Sequence, residues 1–295
     1  LAFFGLGFAV GFVFGYTIIE STIIGVAMMF SSTIIGIKLL PTTVLHHRRT
    51  GELVVSLLLI QDFLAITVLL VLTGGFVEDF SGIARFGKVV LGLPLLIVFA
   101  WLFVKYVLLK ILTKFDAFHE YIFLVAIGWC LGLSELATFI GLSHEIGAFI
   151  AGVSVATSPI SIYIATNLKP LRDFFLVLFF FSLGAGFQVG LLGEIFIPAI
   201  IMAALVLLLK PIVFHGLLRS LSETDTNSWE IGFRLGQISE FSLLIAFIAS
   251  AGHLIGEHAS HLIQATAILT FLLSSYIVVF RYPTPIGVSE KLRRD

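Results

Sequence analysis

Two adjacent side chains in the middle of an apolar run set the chemistry of this chain. Leu53 to Leu72 reads LVVSLLLIQDFLAITVLLVL, with Gln61-Asp62 at its centre. The run is about twenty residues, long enough to cross a hydrocarbon core of ~30 Å. At about 1.5 Å per residue, Asp62 lies roughly 14 Å from its start, near the bilayer midplane. A carboxylate there costs on the order of 3 kcal/mol on insertion scales, so it needs a partner or a use. Protonated, it can serve as hydrogen-bonded glue between helices. Intramembrane carboxylates are functional sites by default, and an ion or proton site is the preferred reading.

Two further ionisable residues, Lys210 and Glu240, lie deep in apolar segments where they cannot easily snorkel. The three together leave a net negative centre that attracts a cation, while one positive charge lowers the cost of burying the set. Burial favours the protonated carboxyl and a nearby cation favours the ionised one, so one pair of oxygens holds a proton or a metal ion but not both. Mutual exclusion on Asp62 is the simplest physics of antiport. Gln61 points about 100° away from Asp62 on a helix and is free to offer its amide to a neighbouring segment. Lys210 can neutralise the negative end of a half-helix, pair with a carboxylate such as Glu240, or titrate; Glu240 can cap the positive end of a half-helix.

Ser31-Ser32-Thr33 interrupts the apolar stretch Ile18 to Leu40, and Gln237-Ile238-Ser239-Glu240 interrupts Ile231 to Ala251. Three successive hydroxyls either bond back within an intact helix or make a break tolerable in lipid, exposing carbonyl oxygens that suit an alkali cation. One interruption in each half is the sequence pattern of a transporter site built from broken helices. Ser32, Thr33 and Gln237 therefore join Gln61, Asp62, Lys210 and Glu240 as candidate site residues. No catalytic triad, phosphate-binding glycine motif or helical pair of histidines for a metal stands out, so neither an enzyme nor a metal or cofactor site is expected. His215, His258 and His261 read as surface groups, Arg234 and Lys38 as side chains that snorkel to an end, and Cys130 as a small core residue.

The surrounding chain must position these groups in lipid. Of 295 residues 59% are hydrophobic and only 12% charged, against about 25% charged in soluble domains. A formal net charge of −1 offers no basic patch for nucleic acid. Apolar lengths give about ten membrane segments. These are Leu1–Thr17, Ile18–Leu40, Leu53–Leu72, Val89–Leu112, Tyr121–Leu142, a short Ile146–Thr157, Phe174–Leu191, Ile195–Leu218, Ile231–Ala251 and Leu262–Phe280. Gly7, Gly11, Gly15, Gly147, Gly152 and the Ser182–Gly186 core mark expected close helix contacts, and Ser158 to Asp173 reads as a polar connection. With the His46-His47-Arg48-Arg49 loop on the cytoplasmic side, that side also receives Lys105, Lys110, Lys114, Lys169, Arg172, Arg219, Arg281, Lys291, Arg293 and Arg294. Arg85 and Lys88 are left opposite. The asymmetry satisfies the positive-inside rule and puts the C-terminus in the cytoplasm. Leu1 opens inside an apolar run, so the sequence reads as a piece of a longer membrane domain.

Five stretches in order, SSTIIGIKLL, SLLLIQDFLAITVLL, IGAFIAGVSVATS, KPLRDFFLVLFFFSLGAGF and LGQISEFSLLIAF, resemble the landmarks of the monovalent cation/proton antiporter superfamily, closest to its Kef-type potassium efflux branch. The resemblance covers nearly the whole chain. It implies an all-α polytopic protein with inverted repeats and two crossed broken helices, of which this chain covers helices four to thirteen of thirteen. Residues 1–281 would be the transmembrane domain and 282–295 a basic cytoplasmic tail. Asp62 matches the family's ion-binding aspartate and Lys210 its intramembrane lysine. Gln61-Asp62 matches the Kef type, where electrogenic sodium/proton members carry Asp-Asp, which favours one-for-one exchange of K+ over Na+. Lys38, Glu135 and the stretch YIATNLKPLRDFF depart from the family pattern. The implied protein is a cell-membrane antiporter serving pH homeostasis. Its partners would be K+ or Na+ and H+ as transported ions, the lipid bilayer, a second copy in a homodimer and a cytoplasmic regulatory domain outside this chain. A Na+/H+ antiporter and a channel-like efflux pathway without proton coupling are the alternatives.

Overall fold

Thr17 shows how this chain starts a helix between two apolar segments without leaving polar backbone bare. Its hydroxyl accepts from the Glu20 amide at 3.2 Å while Glu20 Oε2 accepts from the Thr17 amide at 3.0 Å, a reciprocal cap typically worth about 1 kcal/mol. A computed structural model describes residues 1–41, 49–74, 80–114, 119–156, 158 and 160–285. Among them the helices are α1 (Ala2–Val13), α2 (Ile18–Ala27), α3 (Thr33–Lys38), α4 (Arg49–Gly74), α5 (Phe80–Phe103), α6 (Leu109–Lys114), α7 (His119–Ile140), α8 (His144–Ala156), α9 (Ser161–Ala185), α10 (Leu192–Ser220), α11 (Asp225–Arg234), α12 (Glu240–Ala251) and α13 (Glu257–Arg281). A π-helical turn, Val104–Leu108, joins α5 to α6. No strand occurs among the described residues.

Five helical stretches are long and apolar enough to cross a membrane: Arg49–Leu72, Leu91–Leu112, Tyr121–Ile140, Leu192–Ser220 and Glu257–Arg281. Helices α1, α2, α8 and α12 are apolar but shorter. This is an all-helical, multi-pass membrane protein. Part of the charge pattern expected to set its topology, His46, His47, Arg48, Lys291, Arg293 and Arg294, lies outside the described residues.

The chain divides into two compact units, Leu1–Ala65 with Phe187–Asp295, and Ile66–Gly186. In the first, α1 lies against α2 through Gly7 and Gly11. A Cβ on Gly7 would stand 2.8 Å from the Gly25 Cα, and one on Gly11 3.2 Å from the Ser21 Cα. Gly15 does something else: with φ +85 and nothing within 4 Å, it turns the chain into α2. Helix α10 runs unbroken through Pro211, and Gly232 brings α11 so close that a Cβ would meet the Pro211 carbonyl at 2.7 Å.

In the second unit α7 and α8 pack through Gly147, whose Cβ would lie 2.6 Å from the Leu133 carbonyl. Leu96, Leu133, Ala137, Leu142 and Ile146 form the buried cluster there. Gly152 and Gly184 have nothing within 4 Å, so the close contacts expected at those two glycines are not made among the described residues. The stretch Ser158 to Asp173, expected as a connection, is mostly helical, since α9 begins at Ser161. The reason is local: Thr166 Oγ1 donates to the Ile162 carbonyl at 2.8 Å and Asn167 Nδ2 to the Tyr163 carbonyl at 2.9 Å. These polar side chains bond back one turn instead of opening a loop.

Candidate functional site

Both interruptions are real breaks, and both belong to the first unit. After α2 the backbone leaves the helix at Met28 and re-enters at Thr33; after α11 it leaves at Leu235 and re-enters at Glu240. The hydroxyl run explains the first restart. Ser32 Oγ accepts from the Ile35 amide at 3.1 Å as the cap of α3, and Ser31 Oγ donates to the Leu235 carbonyl at 2.8 Å, inside the other break. The second restart is capped alike, by Ser239 Oγ accepting from the Phe241 amide at 3.1 Å.

The breaks touch. Gln237 Nε2 donates to the Arg234 carbonyl at 3.0 Å and the Ser32 carbonyl at 3.4 Å, and Ser242 Oγ donates to the Ala27 carbonyl at 2.5 Å. Lys210, 0% exposed, reaches between them. Its Nζ donates to the Phe30 carbonyl at 2.5 Å, the Gln237 carbonyl at 2.9 Å and Ser31 Oγ at 3.3 Å. Three N–H donors thus meet three acceptors. The carbonyls lie just beyond the ends of α2 and α11, where a helix leaves C=O groups unsatisfied and carries its negative pole. Of the roles open to Lys210, the structure gives it the neutralisation of half-helix ends. A Lys210–Glu240 pair is not formed, because the ammonium's donors are all taken by the two breaks.

The acidic groups gather on the other side of the first break, where α3 starts. Asp62 is 8% exposed, and the Thr33 hydroxyl sits 3.1 Å from each of its carboxylate oxygens. Glu240 Oε1 accepts from the Ile34 amide at 3.4 Å, so Glu240 caps a half-helix from across the crossing. Its other oxygen, Oε2, is buried without a hydrogen-bond donor. Gln61 Oε1 accepts from the Ser31 amide at 2.6 Å, pinning the peptide beside the break. All seven candidate residues therefore converge. Carboxylate, hydroxyl and amide oxygens at one broken backbone are the hard donors an alkali cation takes, on groups a proton can claim instead.

Three supporting side chains were not singled out by sequence: Ser242, Thr270 and Ser274. Ser274 Oγ donates to Gln237 Oε1 at 2.8 Å, and Thr270 Oγ1 accepts from the Ile238 amide at 3.4 Å. The signal was present, since Thr266, Thr270 and Ser274 recur every four residues, one polar stripe on α13. Arg234, expected to snorkel, is instead 1% exposed. It is drawn inward because Glu230 and two backbone carbonyls, those of Leu39 and Pro283, satisfy its guanidinium. His261, expected at the surface, is buried, with Nδ1 2.8 Å from the Glu257 carbonyl oxygen and its ring against Phe187. His215 and His258 lie beside Asp225 and Glu194, each at 2.8 Å.

Two helix breaks in contact, bridged by a buried lysine and faced by buried carboxylates, form the polar centre of this multi-pass membrane protein. A family model described as "Sodium/hydrogen exchanger, transmembrane" matches residues 1–280, and the chain belongs to that family. K(+) efflux antiporter 5 of Arabidopsis thaliana is 26% identical over 292 residues, 95% of this chain and 50% of its own length. Iron transporter MagA of Paramagnetospirillum magneticum (strain ATCC 700264 / AMB-1) is 26% identical over 92% of this chain and 61% of its own length. Ammonium/H(+) antiporter subunit AmhT of Alkalihalophilus pseudofirmus (strain ATCC BAA-2126 / JCM 17055 / OF4) is 29% identical over 92% of this chain and 70% of its own length. The chain thus spans about half the length of the first of these relatives.

Proposed function

We propose that this chain is the transport core of a secondary antiporter that exchanges a monovalent cation for protons by alternating access around Asp62. The observation that carries the reading is the placement of the Asp62 carboxylate: buried, bonded through both oxygens to Thr33, and set at the point where one broken helix restarts. A cation entering there takes oxygens from Asp62 and Thr33 and displaces the proton that neutralises the carboxyl when the site is empty. Gln61 and Lys210 fix the broken backbone, and Ser32, Gln237 and Glu240 complete its polar lining. In this reading residues 1–281 are ten segments of an inverted-repeat transport domain, and 282–295 are a cytoplasmic tail. The protein works as a homodimer in the cell membrane, with its C-terminus inside.

K+ is the favoured ion, because Gln61 leaves one carboxylate where an Asp-Asp pair would hold a smaller, more strongly hydrated ion, and because a potassium efflux antiporter is among the relatives. The names of the relatives also include iron and ammonium. Sodium/proton exchange is the second reading, favoured by the description of the matching family. The test is reconstitution of the full-length parent in vesicles, following proton movement after addition of K+, Na+ or Li+. Asp62→Asn should abolish cation-dependent proton flux. Flux retained in that variant would remove Asp62 from the mechanism, and currents far above carrier turnover without pH-linked competition would indicate a channel.

A further inference from the structure

Arg234 is a second deeply buried cation in this unit, and the ion-binding groups alone do not account for it. It is the last residue of α11 and is 1% exposed. Nε and Nη2 donate to Glu230 Oε1 at 3.0 and 2.8 Å, Nη1 to the Leu39 carbonyl at 2.9 Å and Nη2 to the Pro283 carbonyl at 2.8 Å. Glu230 lies one turn back on the same helix and balances the charge locally. The two carbonyl bonds are what reach outside α11, and they go to different places. Leu39 is the C-cap of α3. Pro283 belongs to the strap, residues 282–285, that leaves α13. The strap is held further by aromatic contacts, with the Tyr282 ring 5.8 Å from the Arg234 guanidinium and 6.0 Å from Phe233, and the Arg281 guanidinium 5.3 Å from Phe233.

Helix α3 has six residues, a rod about 9 Å long at 1.5 Å per residue. Arg234 holds the carbonyl just past one end; Thr33, at the other, is bonded to Asp62. Midway, a Cβ on Gly36 would lie 3.2 Å from Leu58 and 3.7 Å from Leu235, so the rod is seated on its neighbours at its middle as well as held at its two ends. A rod so short, with its backbone bonds intact, passes a shift at Leu39 on to Thr33. We infer that Arg234 is a positioning residue for the cation site, and that the strap at 282–285 bears on Asp62 through it. The transport readout of this inference rests on the exchange proposed above; its structural readout does not. A guanidinium is required, since a lysine supplies the charge without the planar fork that spans a carboxylate and two carbonyls.

The test uses the full-length parent in vesicles with Arg234→Gln, Arg234→Lys and an insertion of Gly-Ser-Gly between Arg281 and Tyr282. The insertion keeps Arg234 but withdraws the Pro283 carbonyl. Arg234→Gln should raise the KM for K+ about tenfold with a smaller change in maximal proton flux, and Arg234→Lys should not restore it. The insertion should act in the same direction, and combining it with Arg234→Gln should add nothing, as for two changes on one linkage. Amide hydrogen exchange at residues 33–39 should speed up in all three variants with no ion present. A lower melting temperature with KM and exchange at 33–39 unchanged would make Arg234 merely structural and overturn the inference, as would insertion and substitution effects that multiply. Should the unaltered protein move no cation, the antiport reading falls. Hydrogen exchange then still decides the linkage: unchanged rates at 33–39 after the insertion would sink it.

Discussion

The two units solve opposite problems with the same kind of apolar helix. Every buried polar or charged residue among those described, apart from Ser134 and Ser158, belongs to the unit formed by Leu1–Ala65 and Phe187–Asp295. The other unit is held by Leu, Ile and Ala around the Gly147 contact and by the Phe103–Trp129 stack, rings 4.9 Å apart. An unsatisfied polar group in hydrocarbon costs several kcal/mol, and most of the polar groups concentrated in this unit have found partners, while Glu240 Oε2, His261 Nε2 and Thr284 Oγ1 have none. The partners follow a rule of sign: Lys210 takes the carbonyl ends of the breaks, while Asp62 and Glu240 take the end where hydroxyl and amide donors point outward.

The largest effect that would test this contrast comes from Lys210. Replacing it by Met keeps the length of the side chain but leaves the buried Phe30 and Gln237 carbonyls without their donor. A loss of about 3 kcal/mol or more is expected, from hydrogen bonds to a charged donor and the desolvated acceptors left behind. Thermal melting in detergent should show the drop, and proton flux should vanish with it. A Met variant that melts normally would mean that the two breaks do not depend on their bridge.

Next in size is a change in the apolar unit. Val at Gly147 would press on backbone at Leu133 and Ser134, only 2.6 Å from its Cβ. Overpacking of this kind costs about 1 to 3 kcal/mol, so the melting temperature should fall. The KM of the protein that stays folded should remain that of the unaltered chain. An altered KM would erase the distinction between the units.

Of similar size is the effect of Gln61. Gln61→Ala removes the acceptor of the Ser31 amide, and one buried donor left without a partner costs roughly 1 to 3 kcal/mol. Gln61→Asp restores an acceptor and adds a charge. It should alter the preference among K+, Na+ and Li+ or the net charge moved per cycle, and an unchanged profile for both would refute the selectivity argument.

The sequence showed where the apolar runs break and which side chains are too polar for their surroundings, because both follow from local composition. Asp62, Gln61, Ser32, Thr33, Lys210, Gln237 and Glu240 were all recognisable on that basis. It could not say what each one touches. Whether Lys210 meets Glu240 or the breaks depends on contacts made across 180 positions of chain, as with its bond to Phe30. Arg234 was misjudged for the same reason: its depth is set by the carbonyls of Leu39 and Pro283, neither of which has a signature in the side-chain pattern. The first half of the helix Ser161–Ala185 reads as a connection because Thr, Asn and Pro ordinarily mark a turn, and here they bond back or sit in the helix.

The smallest effect is also the cleanest comparison of the two units, because it uses one buried hydroxyl from each. Ser274 Oγ donates to Gln237 Oε1 at 2.8 Å in the polar unit, and Ser134 Oγ donates to the His144 carbonyl at 2.8 Å in the apolar one. Removing either by Ser→Ala breaks one neutral hydrogen bond and should lower stability by about 1 kcal/mol. The losses should match in melting experiments, yet their consequences should differ. Gln237, released by Ser274→Ala, is the side chain that reaches the Ser32 carbonyl across the crossing and the Arg234 carbonyl on its own segment, so the KM for the cation should rise severalfold. Ser134→Ala should leave it where it was. Equal KM values in the two variants would show that the polar network around Gln237 stabilises the fold without shaping the ion site.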